Sequence, residues 1–150
     1  MSQLNWELKK FDELSVTELY KILKLRSEVF VVEQNCVYLD TDDKDQQSFH
    51  FCGWMDEKLL AYVRILPPDI SYAEPSIGRV ATHPSYRKKG AGKELMQRAI
   101  EKTYTLYNSS GIKIGAQLYL HTFYTNLGFV QTSEPYVEDG IPHIEMLHTK

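Results

Sequence analysis

The part of this sequence with the clearest chemical content is a short basic stretch that contains two glycines. It comprises Arg87, Lys88, Lys89, Gly90, Ala91, Gly92 and Lys93. An apolar run at 77–81 precedes it, and apolar residues at helical spacing follow it. Glycines let the backbone approach a ligand closely, and the start of a helix offers free N–H groups and the positive end of its dipole. A strand, a cationic glycine turn and a helix in this order therefore predict a site that binds phosphate groups.

Two motifs in the right order resemble those of the GNAT family of N-acetyltransferases. The RKKGAG motif at 87–92, which follows a His-Pro pair at 83–84, resembles the acetyl-CoA-binding signature of that family. The FYTNLGF segment at 123–129 resembles its second landmark, a helix that ends in tyrosine, two residues and Leu-Gly-Phe. The segments at 26–34 and 138–146 are similar to the ElaA-like branch, so the resemblance covers nearly the whole chain.

The resemblance implies both a fold and an activity. The implied fold is α/β (α+β): a mixed, mostly antiparallel twisted sheet of about six to seven strands with helices on both faces. Its two central parallel strands, which begin near Ile77 and Ile112, are expected to splay into a V-shaped cleft. The implied activity is that of an acyltransferase, which moves the acetyl group of acetyl-CoA to a primary amine of a small molecule or peptide.

Residues on the central strand and after it are predicted to contact the CoA. Backbone amides at 88–93 are expected to bind the pyrophosphate, while the strand edge pairs with the pantetheine amides. The strand residues of this predicted site are Val80, Ala81 and Thr82. In the family, the backbone N–H near Val80 also polarises the thioester carbonyl. Gln117 stands where many relatives have asparagine, and it is expected to bond the pantetheine arm or Tyr124.

Proton transfers in this reaction need an acid and a base. Tyr124 aligns with the family's tyrosine acid, and a phenol with a pKa of about 10 is protonated at neutral pH. A tyrosine that only packs is the structural alternative. The glutamate that many members carry on the central strand is absent here. Glu33 and His143 are the candidate bases, against the alternatives of a surface carboxylate, a histidine satisfied by a strand neighbour, or a chain of waters.

The absence of that glutamate motivates a second class of function, a CoA-binding module for sensing or interaction with little transferase activity. The two classes differ in whether adding an amine releases free CoA. Within the enzyme class, several acidic residues motivate a cationic acceptor. They are Glu33, Asp40, Glu138 and Asp139.

Composition limits the remaining possibilities. A chain of 150 residues is expected to form one domain, and its net charge of −3 gives no electrostatic reason to bind nucleic acid. The sequence shows no signal peptide and no membrane segment, which favours a cytoplasmic protein with Cys36 and Cys52 reduced. The histidines show no metal-ligand spacing with these cysteines, so no metal is expected. The oligomeric state is left open, with a homodimer among the candidates.

The elements that must position these residues follow from sequence patterns. Ser15 and Glu18 form a capping box, so a first helix is expected to begin at Ser15 and to end near Glu33. Arg26, on its apolar face, is expected either to extend toward solvent or to line the acceptor side of the cleft. Residues 34–47 are expected to form a solvated acidic loop. Strands are expected at 5–11, 49–54, 59–66, 77–81, 112–116, 129–134 and 141–147, and two further helices at 92–107 and 119–127.

Overall fold

The computed structural model describes residues 3–88 and 90–150, so the predicted phosphate-site residue Lys89 lies outside the described residues. In chain order, the strands in these ranges are β1 (Asn5–Lys10), β2 (Phe49–Met55), β3 (Lys58–Leu66), β4 (Ser76–Thr82), β5 (Gly111–Gln117), β6 (Phe129–Gln131), β7 (Tyr136–Glu138) and β8 (Ile141–Thr149). The α-helices are α1 (Val16–Arg26), α2 (Ala91–Tyr107) and α3 (His121–Thr125). Ser27–Glu33 continues α1 as a π-helix, and short 3₁₀ turns occur at Phe11–Glu13, Asp45–Gln47, Pro84–Tyr86 and Leu118–Leu120.

The strands form two antiparallel sheets with helices packed against them. One sheet has the order β1-β2-β3-β4, and the other has the order β5-β8-β6 with β7 also paired to β8. The single mixed sheet of the prediction is therefore divided in two. A backbone hydrogen bond from the Lys113 N–H to the Pro75 carbonyl (3.0 Å) joins the starts of β4 and β5. Beyond it, no ladder pairs these two strands in the described ranges, and they diverge into a cleft.

Local sequence signals explain where most elements begin and end. The predicted capping box is confirmed: Ser15 Oγ accepts from the Glu18 N–H (3.0 Å), and the Glu18 carboxylate accepts from the Ser15 N–H (2.8 Å). The C-terminal part differs more from the prediction. The expected helix at 119–127 is a 3₁₀ turn followed by α3. Residues 135–140, which lie between two of the expected strands, contain β7, which forms a hairpin with β8.

One hydrophobic core connects the two sheets through α2. Leu95, Met96 and Ala99 on one face of α2 are fully buried, and Ile65 of β3 and Ile114 of β5 belong to the same cluster. Each large apolar side chain that is fully buried contributes about 1.5–3 kcal/mol to folding. This packing fixes α2, and therefore the glycine turn at its start, against both sides of the cleft.

The loop that was predicted to be solvated is instead partly buried. Asp40 and Asp45 are nearly inaccessible, and both accept hydrogen bonds from Arg26, which is 0% exposed. The prediction that Arg26 extends toward solvent or lines the cleft was therefore wrong. An arginine can be buried this deeply because carboxylates and a backbone carbonyl satisfy its donors. The pairing carboxylates come from a distant loop, which the spacing of apolar residues in the helix does not reveal.

Candidate active site

A cavity of about 540 Å³ lies where β4 and β5 diverge. Its walls come from the open edges of both strands, the π-helix, α3 and the β7–β8 hairpin. The predicted site residues among its lining are Glu33, Val80, Thr82, Arg87, Gln117, Tyr124 and His143. These residues come from six separate segments of the chain, and the fold brings them to one cleft.

β4 is irregular where it borders the cleft. Tyr62 pairs with Ala81 and Arg64 pairs with Gly78, so two residues of β4, Arg79 and Val80, stand opposite one residue of β3. This is a β-bulge, and Arg79 adopts a positive φ of 52° within it. On its other side β4 has no strand partner in the described part of the chain. An open strand edge of this kind can hydrogen-bond an extended chain of amides.

The turn at the start of α2 has the geometry that its glycines predict. Gly90 has a φ of 86°, which an L-residue rarely adopts, and open space surrounds the position of its missing Cβ. The N–H of Ala91 donates to the Lys88 carbonyl, and the first helical bond runs from the Glu94 N–H to Gly90. The amides of Gly90 and Gly92 have no acceptor among the residues described. These amides and the helix dipole can bind an anion.

Arg87 connects this turn to the other side of the cleft. Its guanidinium donates to the Thr82 carbonyl (3.0 and 3.1 Å) and forms an ion pair with Glu33 at the end of the π-helix. The hydrogen bond from Arg87 lowers the pKa of Glu33 from its ordinary value. Glu33 is therefore held as a carboxylate and is a weak proton acceptor, while the Arg87 cation is already partnered in the absence of a ligand.

Tyr124 lies in α3 with its ring between Phe123 and Phe129, in edge-to-face contact with both. The side chain is buried, and this burial raises the pKa of Tyr124 to about 12. Its phenol is therefore protonated at every pH near neutrality. Because Tyr124 also lines the cavity, it can donate a proton there rather than serve only in packing.

His143 lies on β8 directly opposite Gln117 of β5. It is buried, it stacks on Tyr136, and its Nδ1 lies 2.7 Å from the Ile141 carbonyl oxygen. A carbonyl only accepts, so Nδ1 carries the proton, and in the neutral ring Nε2 has a lone pair available. Gln117 exchanges side-chain hydrogen bonds with Gln34 (3.3 and 3.5 Å), which bridges β5 to the first helical segment.

The other predicted CoA contacts in the described part of the chain, including Gly90 and Gly92, are not among the residues that line the cavity. The side chain of Ala81 is buried on the opposite face of β4, so only its backbone can reach a ligand. Lys88 and Lys93 are exposed, and the Lys88 ammonium lies 5.0 Å from the centre of the Tyr86 ring. Ala91 is buried in the core.

Sequence reasoning missed several residues that also line the cavity. They include Cys36, Tyr38 and Arg79. The signal that could have identified Arg79 was its position on the central strand, in the region where the family resemblance led us to expect a glutamate.

The divergence of two sheets beside a glycine turn defines the acyl-CoA N-acyltransferase fold. The structure aligns with the acyl-CoA N-acyltransferase from Pseudomonas aeruginosa at a TM-score of 0.92, with 40% identity over 97% of this chain and 99% of that one. It aligns with ElaA from Escherichia coli at a TM-score of 0.89, with 39% identity over 97% and 99% of the two chains. A Bacillus subtilis acetyltransferase, solved in complex with CoA, shares the fold at a TM-score of 0.65 and 24% identity, over 99% of both chains.

Sequence comparison gives the same result. Residues 15–150 match the family model of the acetyltransferase (GNAT) domain. The curated ElaA sequence from Escherichia coli is 41% identical over 145 residues, which is 95% of each chain. The chain therefore belongs to the GNAT acetyltransferase family, and its predicted fold class and its similarity to ElaA are confirmed.

Proposed function

We propose that this protein is an N-acetyltransferase that transfers the acetyl group of acetyl-CoA directly to a primary amine of a small molecule or peptide in a ternary complex. The observation that carries this proposal is the convergence of three features at one cleft. They are the open edge of β4, Arg87 in the turn that leads into α2, and the buried side chain of Tyr124.

The cleft supplies a partner for each part of acetyl-CoA. The amides of Gly90 and Gly92 bind the pyrophosphate, and the helix dipole adds at most about 2 kcal/mol. The open edge of β4 pairs with the pantetheine amides. The Val80 N–H donates to the thioester carbonyl, and a donor aimed at developing negative charge is commonly worth about 3 kcal/mol. The Bacillus subtilis protein, which has the same fold, was solved in complex with CoA, and this supports CoA as the ligand class.

The residues of the cleft also account for the proton transfers. His143 Nε2 takes a proton from the ammonium group of the acceptor, because the free amine is the nucleophile. The amine nitrogen then attacks the thioester carbon and forms the C–N bond as the C–S bond breaks. The departing sulfur takes a proton from the Tyr124 hydroxyl, and the second proton that the nitrogen loses on becoming an amide passes to the Tyr124 oxygen, which restores the phenol. The high pKa of Tyr124 keeps this proton in place until the thiolate forms.

The rim of the cleft favours an acceptor that carries positive charge. Glu138 and Asp139 are exposed in the β7–β8 hairpin and line the cavity. Asp40, which was expected to contribute to the same rim, is buried in ion pairs and is not available to an acceptor. The charge preference therefore comes from the hairpin.

The test is amine-dependent release of CoA from acetyl-CoA, measured over a panel of polyamines and peptides. We expect release above background only when an amine is present. Tyr124→Phe is expected to lower kcat by about 100-fold, because a general acid contributes 10²–10⁴-fold, and to leave the Kd for acetyl-CoA unchanged. Tyr20→Phe, at a tyrosine that is 71% exposed on α1, is the matched control and should retain full activity.

Two results would contradict the proposal in different ways. Tight CoA binding without turnover of any amine would identify the chain as the binding module that was the alternative. Unchanged kcat in Tyr124→Phe would leave the transferase in place but remove Tyr124 as its acid.

A further inference from the structure

Arg79 occupies a backbone position that would suit glycine better. It is the residue with positive φ in the bulge of β4, where two residues oppose one. Bulges of this kind usually have glycine at the left-handed position, because an L-residue there costs about 1–2 kcal/mol. Strain of this size at a functional cleft is maintained only when the surroundings compensate for it. The side chain of Arg79 therefore has a role that glycine could not fill.

Hydrogen bonds to the acidic loop hold the Arg79 side chain in one position at the cleft. Arg79 Nε donates to Asp40 Oδ1 (2.8 Å), and Nη2 donates to the Asp40 carbonyl (2.9 Å) and lies 3.4 Å from Asp42 Oδ2. The guanidinium also lies 5.8 Å from the centre of the Tyr38 ring. With two of its three nitrogens engaged in this way, the guanidinium is fixed relative to the loop that carries Asp40.

Asp40 is itself anchored in the interior. It is 8% exposed, its Oδ2 accepts from Arg26 Nε (2.8 Å), and its Oδ1 accepts from the Tyr38 hydroxyl (2.8 Å). The surrounding cluster balances three guanidinium groups with three carboxylates: Arg26, Arg64, Arg79, Asp40, Asp42 and Asp45. Arg79 is thus tied through Asp40 to the buried end of α1.

We propose that Arg79, held by Asp40, is a positioning residue that fixes the bulge of β4 and thereby aims the Val80 N–H at the thioester carbonyl. Arg79 and Val80 are consecutive, so a change in the bulge at Arg79 rotates the next peptide group. This inference rests on the proposed function. It assigns a role to the acidic loop beyond the neutralisation of Arg26 and Arg64.

The test compares variants that remove the hydrogen bonds between the Arg79 side chain and Asp40, called the tether below, with a control variant that only relieves a positive φ elsewhere. Arg79→Gly relieves the strain at positive φ but removes the tether, and we expect kcat to fall by about tenfold or more, with the Kd for CoA and the KM for the amine within about twofold. Asp56→Gly is the matched control. Asp56 also has a positive φ (55°), in the exposed β2–β3 turn, but its side chain has no hydrogen-bond partner among the described residues. The kcat of this variant should equal that of the wild type. Arg79→Lys keeps the charge without the planar fork and should lie between wild type and Arg79→Gly.

A second readout reports the geometry directly. In ¹⁵N-valine-labelled protein, acetyl-CoA should shift the Val80 amide resonance of the wild type, and the bound resonance of Arg79→Gly should differ from it.

A wild-type kcat in Arg79→Gly would overturn the inference. If that unchanged kcat came with a raised KM for the amine, Arg79 would instead bind the acceptor itself. If Arg79→Gly does not fold, Arg79→Lys decides, and wild-type kcat in that variant is the overturning result. Wild-type protein that neither binds CoA nor acetylates an amine would refute the proposed function instead.

Discussion

The cleft contains two candidate bases, and their surroundings suit them to different roles. The guanidinium of Arg87 pairs with Glu33 and keeps the pKa of that carboxyl low, which makes Glu33 a poor proton acceptor. The hydrogen bond from His143 Nδ1 to a carbonyl leaves Nε2 as the acceptor. Two side chains that look equally suitable in the sequence therefore differ in what their partners allow them to do.

We expect two isosteric substitutions to separate these roles. His143→Gln should lower kcat/KM by about 100-fold and remove the loss of rate toward acid pH, because the residue that accepts the proton is gone. Glu33→Gln should retain kcat and should tighten CoA binding by about twofold to threefold, because an exposed ion pair that competes for Arg87 is worth less than about 1 kcal/mol. Steady-state rates between about pH 5.5 and 9 and calorimetric titration with CoA measure both effects.

The opposite pattern would reverse the assignment. If Glu33→Gln lost the acid limb of the pH profile and His143→Gln kept it, Glu33 would be the base despite its partner. Weaker CoA binding in Glu33→Gln would show that the ion pair orients Arg87 toward the phosphates rather than competing with them.

At the scale of elements, the start of α2 depends on one backbone conformation. Gly90 has a positive φ in open space, so a side chain there meets no neighbour but strains the turn. Gly92 differs, because a Cβ at that position would make ordinary contact with Phe123 (3.6 Å) beside Tyr124. The turn conformation therefore favours glycine at position 90, whereas at Gly92 the packing of α3 leaves room for a Cβ.

Gly90→Ala is expected to weaken CoA binding by about tenfold, because the turn must change its φ and move the amides away from the pyrophosphate. Gly140→Ala is the control with matched strain, since Gly140 also has a positive φ (77°) and open space, but lies in the β7–β8 hairpin. Its Kd for CoA should equal that of the wild type. Equal Kd values for all three proteins, measured by calorimetry, would mean that the turn does not bind the phosphates.

At the scale of the whole molecule, a balanced ion cluster connects the acidic loop to three structural elements. Burial pushes the pKa of Asp42 and of Asp45 upward, but hydrogen bonds from Arg64 to both, and from Arg26 to Asp45, hold each pKa below its ordinary value. A carboxyl whose pKa is lower in the folded than in the unfolded state stabilises the fold above its unfolded pKa. That stabilisation is lost as the pH falls through the folded-state pKa.

We therefore expect the free energy of unfolding to fall steeply below about pH 4, where unfolded aspartates begin to bind protons. Asp42→Asn should be less stable than the wild type at pH 7 and should lose less stability on acidification. Glu94→Gln, which removes only an exposed pair with Arg98 on α2, should follow the wild-type curve. Urea unfolding between pH 3 and 7, about the range of carboxyl titration, measures the difference, and parallel curves for wild type and Asp42→Asn would contradict it.

Across the molecule, the part of the chain that the structure describes contains no helix long and apolar enough to cross a membrane. The predictions of one domain, a cytoplasmic location and the acceptor stay predictions, as does the oligomeric state.

The sequence by itself determined the features that depend on neighbours along the chain. The capping box at Ser15, the β2–β3 hairpin, the helix after the glycine turn and the family resemblance all rest on residues within a few positions of one another. Local backbone preferences and the period of apolar residues carry that information. For the same reason the order of strands and helices was mostly correct, apart from β7.

Only the tertiary structure decided which charges meet. The acidic loop has the composition of a solvated segment, yet Arg26, Arg64 and Arg79 reach it from α1, β3 and β4 and pair with its carboxylates, of which Asp40 and Asp45 are buried. The same contacts bury Asp40, and the ion pair with Arg87 lowers the pKa of Glu33. These outcomes depend on distances between residues far apart in the chain, and on how far each charge is removed from water, and no local pattern encodes either.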